Sequence, residues 1–244
     1  MADAELQPLL AGIVARTSVA VHVADRRLVF SPRNFREACE AQRLRAELAR
    51  QEALETVLSL ALVRQISEPN QRACTVKVGA AAQVDEVETF LKGWSLTLGW
   101  LSPGARTLSV GQWLQSRYAG LRVVPGNRLE TAALTVSVAL EGGGGWEGTR
   151  APRSAAGPEL SAAFVGAGRG AGMVVEAVLR ALPRYELTER VHGELANAQA
   201  VVSLLRKALQ RDVPVVEARC EKRGGALDVT LSVAGPAFRV RRDR

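Results

Sequence analysis

Apolar and polar positions alternate in TSVAVHVADRRLVFSP, with Val19, Val21 and Val23 on one side. This predicts a strand, a turn at Asp25-Arg26-Arg27 and a second strand through Leu28-Val29-Phe30. The residues before it, to about Ala15, read as a helical leader. Pro32 and Asn34 open a helix that Glu37 to Leu62 can continue, because Ala, Glu, Arg and Leu all favour helix. ETVLSLALVRQI, near its end, is where the pattern can switch to a strand. EPNQR is a turn and ACTVKVGAA an alternating strand. In AAQVDEVETFLKGWSLTLG, Val84, Val87, Phe90 and Leu91 recur at helical spacing and Gly93 is the stop.

WLSPGARTLSVGQWLQSRYAGLRVVPGNRLE is loop-rich with a short helical piece. LETAALTVSVAL is strand-like, and Glu141 to Gly145 forms a hairpin tip or loop. The polar GTRAPRSAAGPEL leads into FVGAGRGAGMVVEAVLR, in which glycines stand at 166, 168, 170 and 172. Pro183 ends that unit. In the last sixty or so residues, ANAQAVVSLLRKALQ is an amphipathic helix, and VPVVEARCEKR and ALDVTLSVAG are strands separated by Gly224-Gly225. Together they form an αββ addition, and FRVRRDR closes the chain.

The glycine stretch admits three readings. Gly166, Gly168 and Ala171 satisfy G-x-G-x-x-G/A, with Glu186 about twenty positions on. A dinucleotide fingerprint needs a helix after its glycines. MVVEAVLR is β-branched and alternates Val174, Glu176, Val178 and Arg180, so a strand is expected and this reading fails. A tightly packed turn with no ligand is the second reading. The third is a cofactor loop of another kind.

Composition narrows the classes. The chain has 244 residues, 47% of them hydrophobic and 5% aromatic, so its core is built mainly from Ala, Val and Leu. That length suits one large domain, or one domain and a small second. No apolar run approaches the ~18 residues of a membrane span. The acidic start MADAELQPLL lacks the basic opening of a secretion signal, so a soluble, cytoplasmic protein is expected. Cys39, Cys74 and Cys220 are far apart and His22 and His192 isolated, so reduced cysteines and no metal are expected. The net charge of +7 is carried by arginines scattered among glutamates, as on a solvated helix face. Without interleaved aromatics, nucleic acid is not the expected partner. A polyanion-binding module remains a reading for the arginines, with binding that falls steeply with salt.

The collinear order of segments resembles the FAD-linked oxidases with the FAD-binding PCMH-type (vanillyl-alcohol oxidase) fold. Within that family it is most similar to alkyldihydroxyacetonephosphate-synthase-like and glycolate-oxidase-like members. TVKVGAAAQVDEVETFLKGWSLTLG resembles the family's strand, helix and glycine-ended turn. LSPGARTLSVGQWLQSRYAGLRVVPGNRLE resembles its P-[DG]-[SA]-x-x-S-T-[VIL]-G-G-W loop and later Y-G-N-x-E-D element. GTRAPRSAAGPELSAAFVGAGRGAGMVVEAVLRALPRYE resembles its G-P-D-L…F-x-G-S-E-G-T-L-G segment with the strand and P-x-P-E that follow. The likeness covers roughly residues 17–235.

The resemblance implies an α+β fold. Residues 1–183 would form a two-subdomain FAD-binding domain (about 17–66 and 73–183), and residues 184–244 a truncated ferredoxin-like cap. It implies FAD as cofactor, held by Pro103, Gly104, Ser109, Val110 and Gly111 and by Gly166, Gly168, Gly170 and Gly172. Departures from the pattern bear on that. The family's first glycine loop should fall between Gln42 and Leu60, where RLRAELARQEALETVLSL has no glycine and is expected to be helical. Gln112 replaces a glycine and is expected to project into the cofactor's space. The loop's Glu and Thr are replaced and Arg169 introduced. Tyr118, Tyr185, His22 and His192 are separated and form no catalytic pair. The expectation is therefore a degenerate scaffold or interaction subunit with lost or weakened FAD binding. Its partner would be another protein or a second copy, contacted through the edge of the cap sheet or the basic tail. The rival is a minimal FAD-dependent oxidoreductase acting on a hydroxy acid or related substrate, or an alkyl-transferring synthase.

Overall fold

The computed structural model describes residues 3–25, 27–50, 55–99, 101, 103–116, 132–148, 160–168, 170–223, 225–236 and 240. Tyr118, Arg169, most of FRVRRDR and the segments 117–131 and 149–159, which carry part of the resemblance, lie outside them.

Helix α1 (Asp3–Val14) places Ile13 in a core cluster with Val19, Leu28, Phe30, Leu44 and Leu58. Strands β1 (Ala20–Ala24) and β2 (Arg27–Ser31) form the expected hairpin, Val21 opposite Phe30. Asp25 takes φ 50° at its turn, a left-handed conformation that Asp tolerates. Helix α2 (Phe35–Arg50) starts at a reciprocal cap. The Glu37 N–H donates to Asn34 Oδ1 at 3.0 Å, and the Arg33 N–H donates to Glu37 Oε2 at 2.9 Å. Its buried positions Ala41, Leu44 and Leu48 face the β1–β2 hairpin cluster, and Ala38 faces the second sheet.

The helix does not continue to Leu62. Strand β3 (Thr56–Leu58) then lies parallel to β2, Phe30 opposite Leu58. Helix propensity differs between residues by only a few tenths of a kcal/mol. Burying Leu58 beside Phe30 outweighs it, at roughly 1.5–3 kcal/mol for a buried leucine. Arg45 fastens the two elements, donating to Gln42 Oε1 at 2.7 Å and to the Thr56 carbonyl at 3.1 Å. Half-burial pushes its guanidinium below the usual arginine pKa, and the nearby Glu141 charge acts against that.

The elements that follow are β4 (Thr75–Gly79), α3 (Val84–Lys92), β5 (Leu96–Thr97), α4 (Pro103–Arg106), α5 (Val110–Gln115), β6 (Ala133–Ala139), β7 (Gly145–Glu147), α6 (Ser161–Phe164), β8 (Met173–Arg180) and β9 (Leu182–Pro183). Four of the strands make an antiparallel sheet in the order β4-β8-β6-β7. The strand expected after the glycines is β8, at the centre of that sheet. One sheet face carries Val76, Val78, Val136, Val138, Ala177 and Leu179, which pack on Val84, Val87 and Leu91 of α3 and on Trp113 and Leu114 of α5. Buried Glu88 joins α3 to β5, accepting from Thr97 Oγ1 at 2.7 Å and from the Leu98 N–H at 2.8 Å.

The last part departs from the αββ expectation. It begins with a further strand, β10 (Leu187–Leu195), before α7 (Ala198–Gln210), β11 (Val215–Arg223) and β12 (Ala226–Gly235). The antiparallel sheet has the order β10-β12-β11. LTERVHGEL gives a weak strand signal because most of its residues are exposed, and full-length pairing with β12 holds it extended. The architecture is α+β, as expected. Among the described residues no helix is long and apolar enough to cross a membrane.

Candidate functional site

A cavity of about 550 Å³ opens where four segments converge. Leu58, Leu60, Ala61 and Arg64 come from the end of β3 and the turn after it. Ala80, Ala81 and Gln83 lie between β4 and α3. Ser109, Gly111, Gln112, Gln115 and Ser116 come from α5 and its caps, and Gly168, Met173 and Val174 from the glycine loop and β8.

Backbone hydrogen bonds weld these segments together. The Ala81 N–H donates to the Val63 carbonyl at 2.9 Å, and the Gly79 N–H donates to the Gln65 carbonyl at 2.8 Å. A Cβ on Gly79 would lie 2.7 Å from the Val63 carbonyl carbon, so only glycine permits this approach. The start of α5 docks on the same loop. The Val110 N–H donates to the Ala82 carbonyl at 2.8 Å and the Gly111 N–H to the Ala80 carbonyl at 2.9 Å. The Gln112 N–H donates to Ser109 Oγ at 3.3 Å, and the Ser109 N–H donates to Gln112 Oε1 at 3.1 Å. Gln112 was expected to project into the cofactor's space. Gln112 lines the cavity, and its amide oxygen also closes a capping box, because the orphan N–H groups of a helix start compete for every nearby acceptor.

Gln115 holds the glycine loop, and the sequence reading missed it. Its side-chain amide donates to the carbonyls of Gly168 at 2.8 Å and Gly172 at 2.9 Å, and its Oε1 accepts from the Val174 N–H at 3.3 Å. Its own carbonyl accepts from the Gly168 N–H at 3.0 Å, and the Leu114 carbonyl accepts from the Gly166 N–H at 2.7 Å. Gly166 and Gly168 take φ 77° and 73°, and Gly172 takes 141°. Positive φ at three positions in seven explains three of the four glycines, Gly170 being the exception.

The candidate cofactor residues separate accordingly. Ser109, Gly111 and Gly168 line the cavity. Pro103 and Gly104 are exposed on α4, and Val110 is buried in the core. Gly166 and Gly172 shape the loop through their backbones, and Gly170 is exposed. The segment between Gln42 and Leu60, expected as continuous helix, instead delivers β3 to the cavity wall. Arg64 at the mouth donates to both Glu86 oxygens through Nε and a terminal nitrogen. The Arg64 hydrogen bonds, aided by the Gln83 N–H, hold the Glu86 carboxyl below the usual range, and Glu86 holds the Arg64 guanidinium above its own. Both side chains are solvent-accessible, so this pair orients Arg64 more than it stabilises the fold.

His22 is exposed on β1, and His192 Nδ1 lies 2.9 Å from Thr230 Oγ1 in the last sheet. Neither lines the cavity, and nor does Tyr185. Among the described residues no three His, Cys, Asp or Glu side chains group as a metal site.

No protein-family model matches the chain, and no curated protein matches its sequence. Solved structures do match. An alkyldihydroxyacetonephosphate synthase in P212121 superposes with a TM-score of 0.74 at 14% identity, over 88% of this chain and 48% of that one. The same synthase in P1 gives 0.72 at 14% identity, over 88% and 49%. The chain spans about half the length of these neighbours. At this identity the likeness is one of fold, and it agrees at that level with the expectation drawn from the segment order.

Proposed function

We propose that the chain is an FAD-linked-oxidase-like scaffold that has lost or weakened its hold on FAD and acts as an interaction subunit. The division into a two-subdomain FAD-type unit (1–183) and a truncated ferredoxin-like cap (184–244) belongs to this reading. The supporting observation is the state of the donors around the cavity. A pyrophosphate is held by oriented N–H groups and cations. The N–H groups of Val110, Gly111 and Gln112 are already spent on Ala82, Ala80 and Ser109 within the chain. Arg64, the one cation among the described lining residues, is engaged by Glu86. The wall between them is apolar at Leu58, Leu60, Ala61, Met173 and Val174. The described residues around the cavity therefore fit the charged centre of FAD poorly.

The minimal FAD-dependent oxidoreductase has one observation in its favour. The cavity is formed, and its glycine loop is held in a fixed shape by Gln115. Purified protein separates the two readings. The scaffold reading expects a colourless protein with no thermal shift on adding FAD. A flavin absorption spectrum in the purified protein contradicts it.

A further inference from the structure

The geometry points to an antiparallel two-fold dimer formed edge to edge through β11, with Cys220 facing its own copy. β11 lies at the outside of its sheet, bonded on one side to β12, and among the described residues no strand pairs with its other side. Its register with β12 is regular from Glu217 onward, so half of its backbone donors and acceptors point outward in a row. Residues Arg219, Cys220, Glu221 and Lys222 are exposed.

Charged side chains on an edge ordinarily block pairing with another chain. In VVEARCEKR they select one pairing. Alternate residues share a face of the strand. In a two-fold pair centred on Cys220, Arg219 lies opposite Glu221 of the copy and Glu221 opposite Arg219, while residues 217–223 overlap along both strands. Directly opposite residues stand roughly 4.5–5.5 Å apart at Cα, within reach of a charge pair and of a disulfide. Moving the centre by one residue sets Arg219 opposite Arg219, or Glu221 opposite Glu221, so both neighbouring registers are repulsive. The only ion-pair partner of Arg219 within its own chain, among the described residues, is Glu217 at 3.7 Å, a long contact that a neighbour at β11 can displace. The other outer strand, β10, lacks this property. A pair centred on His192 sets Arg190 opposite Glu194, but registers one residue to either side put no like charges opposite each other, so nothing there selects one pairing.

The edge is short, so the dimer is weak and forms at micromolar concentrations, with Kd on the order of 10 µM. It needs no flavin: dimerisation is read by sedimentation and the flavin by binding, so either reading can fail alone. The test is sedimentation velocity from about 5 to 200 µM, a range that brackets that Kd, with folding checked by circular dichroism. Wild type should shift from monomer to dimer. Arg219→Glu and Glu221→Arg should each raise Kd at least roughly tenfold, and the double variant Arg219→Glu/Glu221→Arg should return it to near the wild-type value. Diamide, which takes up the two thiol hydrogens as the disulfide forms, should yield a covalent dimer that Cys220→Ser abolishes and Cys39→Ser and Cys74→Ser do not. A monomer throughout the range overturns the inference. So does a dimer indifferent to both single swaps, a double swap that stays monomeric, or a cross-link that survives Cys220→Ser.

Discussion

Gln115 shows how one side chain sets the site. Its amide satisfies two carbonyls of the glycine loop and one N–H of β8 while itself buried. Gln115→Leu keeps the size and strands all three backbone groups, so unfolding stability in urea should fall by about 2–4 kcal/mol. A loss below ~0.5 kcal/mol would mean the loop holds without it. At the mouth, Arg64 keeps the Glu86 carboxyl below its ordinary range. A carboxyl lowered in the folded state adds stability above its unfolded pKa, and that contribution is lost as pH falls through the lowered value. Arg64→Ala should therefore raise the Glu86 pKa in a carboxyl NMR titration, moving the loss to higher pH. An unchanged Glu86 titration would show that the Gln83 N–H alone sets it. None of this was legible in the sequence. A glutamine at the end of a six-residue helix carries no period to mark it as buried, and the Arg64–Glu86 pair joins segments 22 positions apart.

At the scale of elements, Glu88 carries the attachment of α3 to β5. Glu88→Ala leaves the Thr97 hydroxyl and the Leu98 N–H buried without their acceptor, for about 2–3 kcal/mol, and Glu88→Gln, which keeps one acceptor, should cost about half. Chemical denaturation of both variants checks the ratio, and equal losses would point to packing instead. Elements were legible where one face is buried. β2, α3 with Gly93 after it, β8 and β12 follow apolar periods over buried positions, while β1, α7 and β11 were legible from residue type and spacing although mostly exposed. Two were less so. The run of good helix formers after Arg50 blurred β3: ETVLSLALVRQI could be read as helix or as strand, and pairing with β2 decides for three extended residues. β10 hid because it lies at the edge of its sheet, with side chains that alternate in neither burial nor polarity.

At the scale of the molecule, sequence order carried the fold further than any single motif. The segment order that resembles FAD-linked oxidases corresponds to a structure that superposes on alkyldihydroxyacetonephosphate synthase over 88% of this chain. The glycine loop is held in its shape by positive φ at Gly166, Gly168 and Gly172 and by a buried amide that binds its carbonyls. What the sequence could not disclose is how the donors around the cavity are used. The resemblance placed Ser109 and Gly111 at a cofactor, and hydrogen-bond partners decide whether their neighbours are free to meet one. The N–H groups at the start of α5 bind the loop after β4, and Arg64 binds Glu86. The most direct measurement of this account is a calorimetric titration of the purified chain with FAD. It predicts no saturable binding up to about 100 µM FAD. Stoichiometric binding with Kd of ~1 µM or below would contradict it.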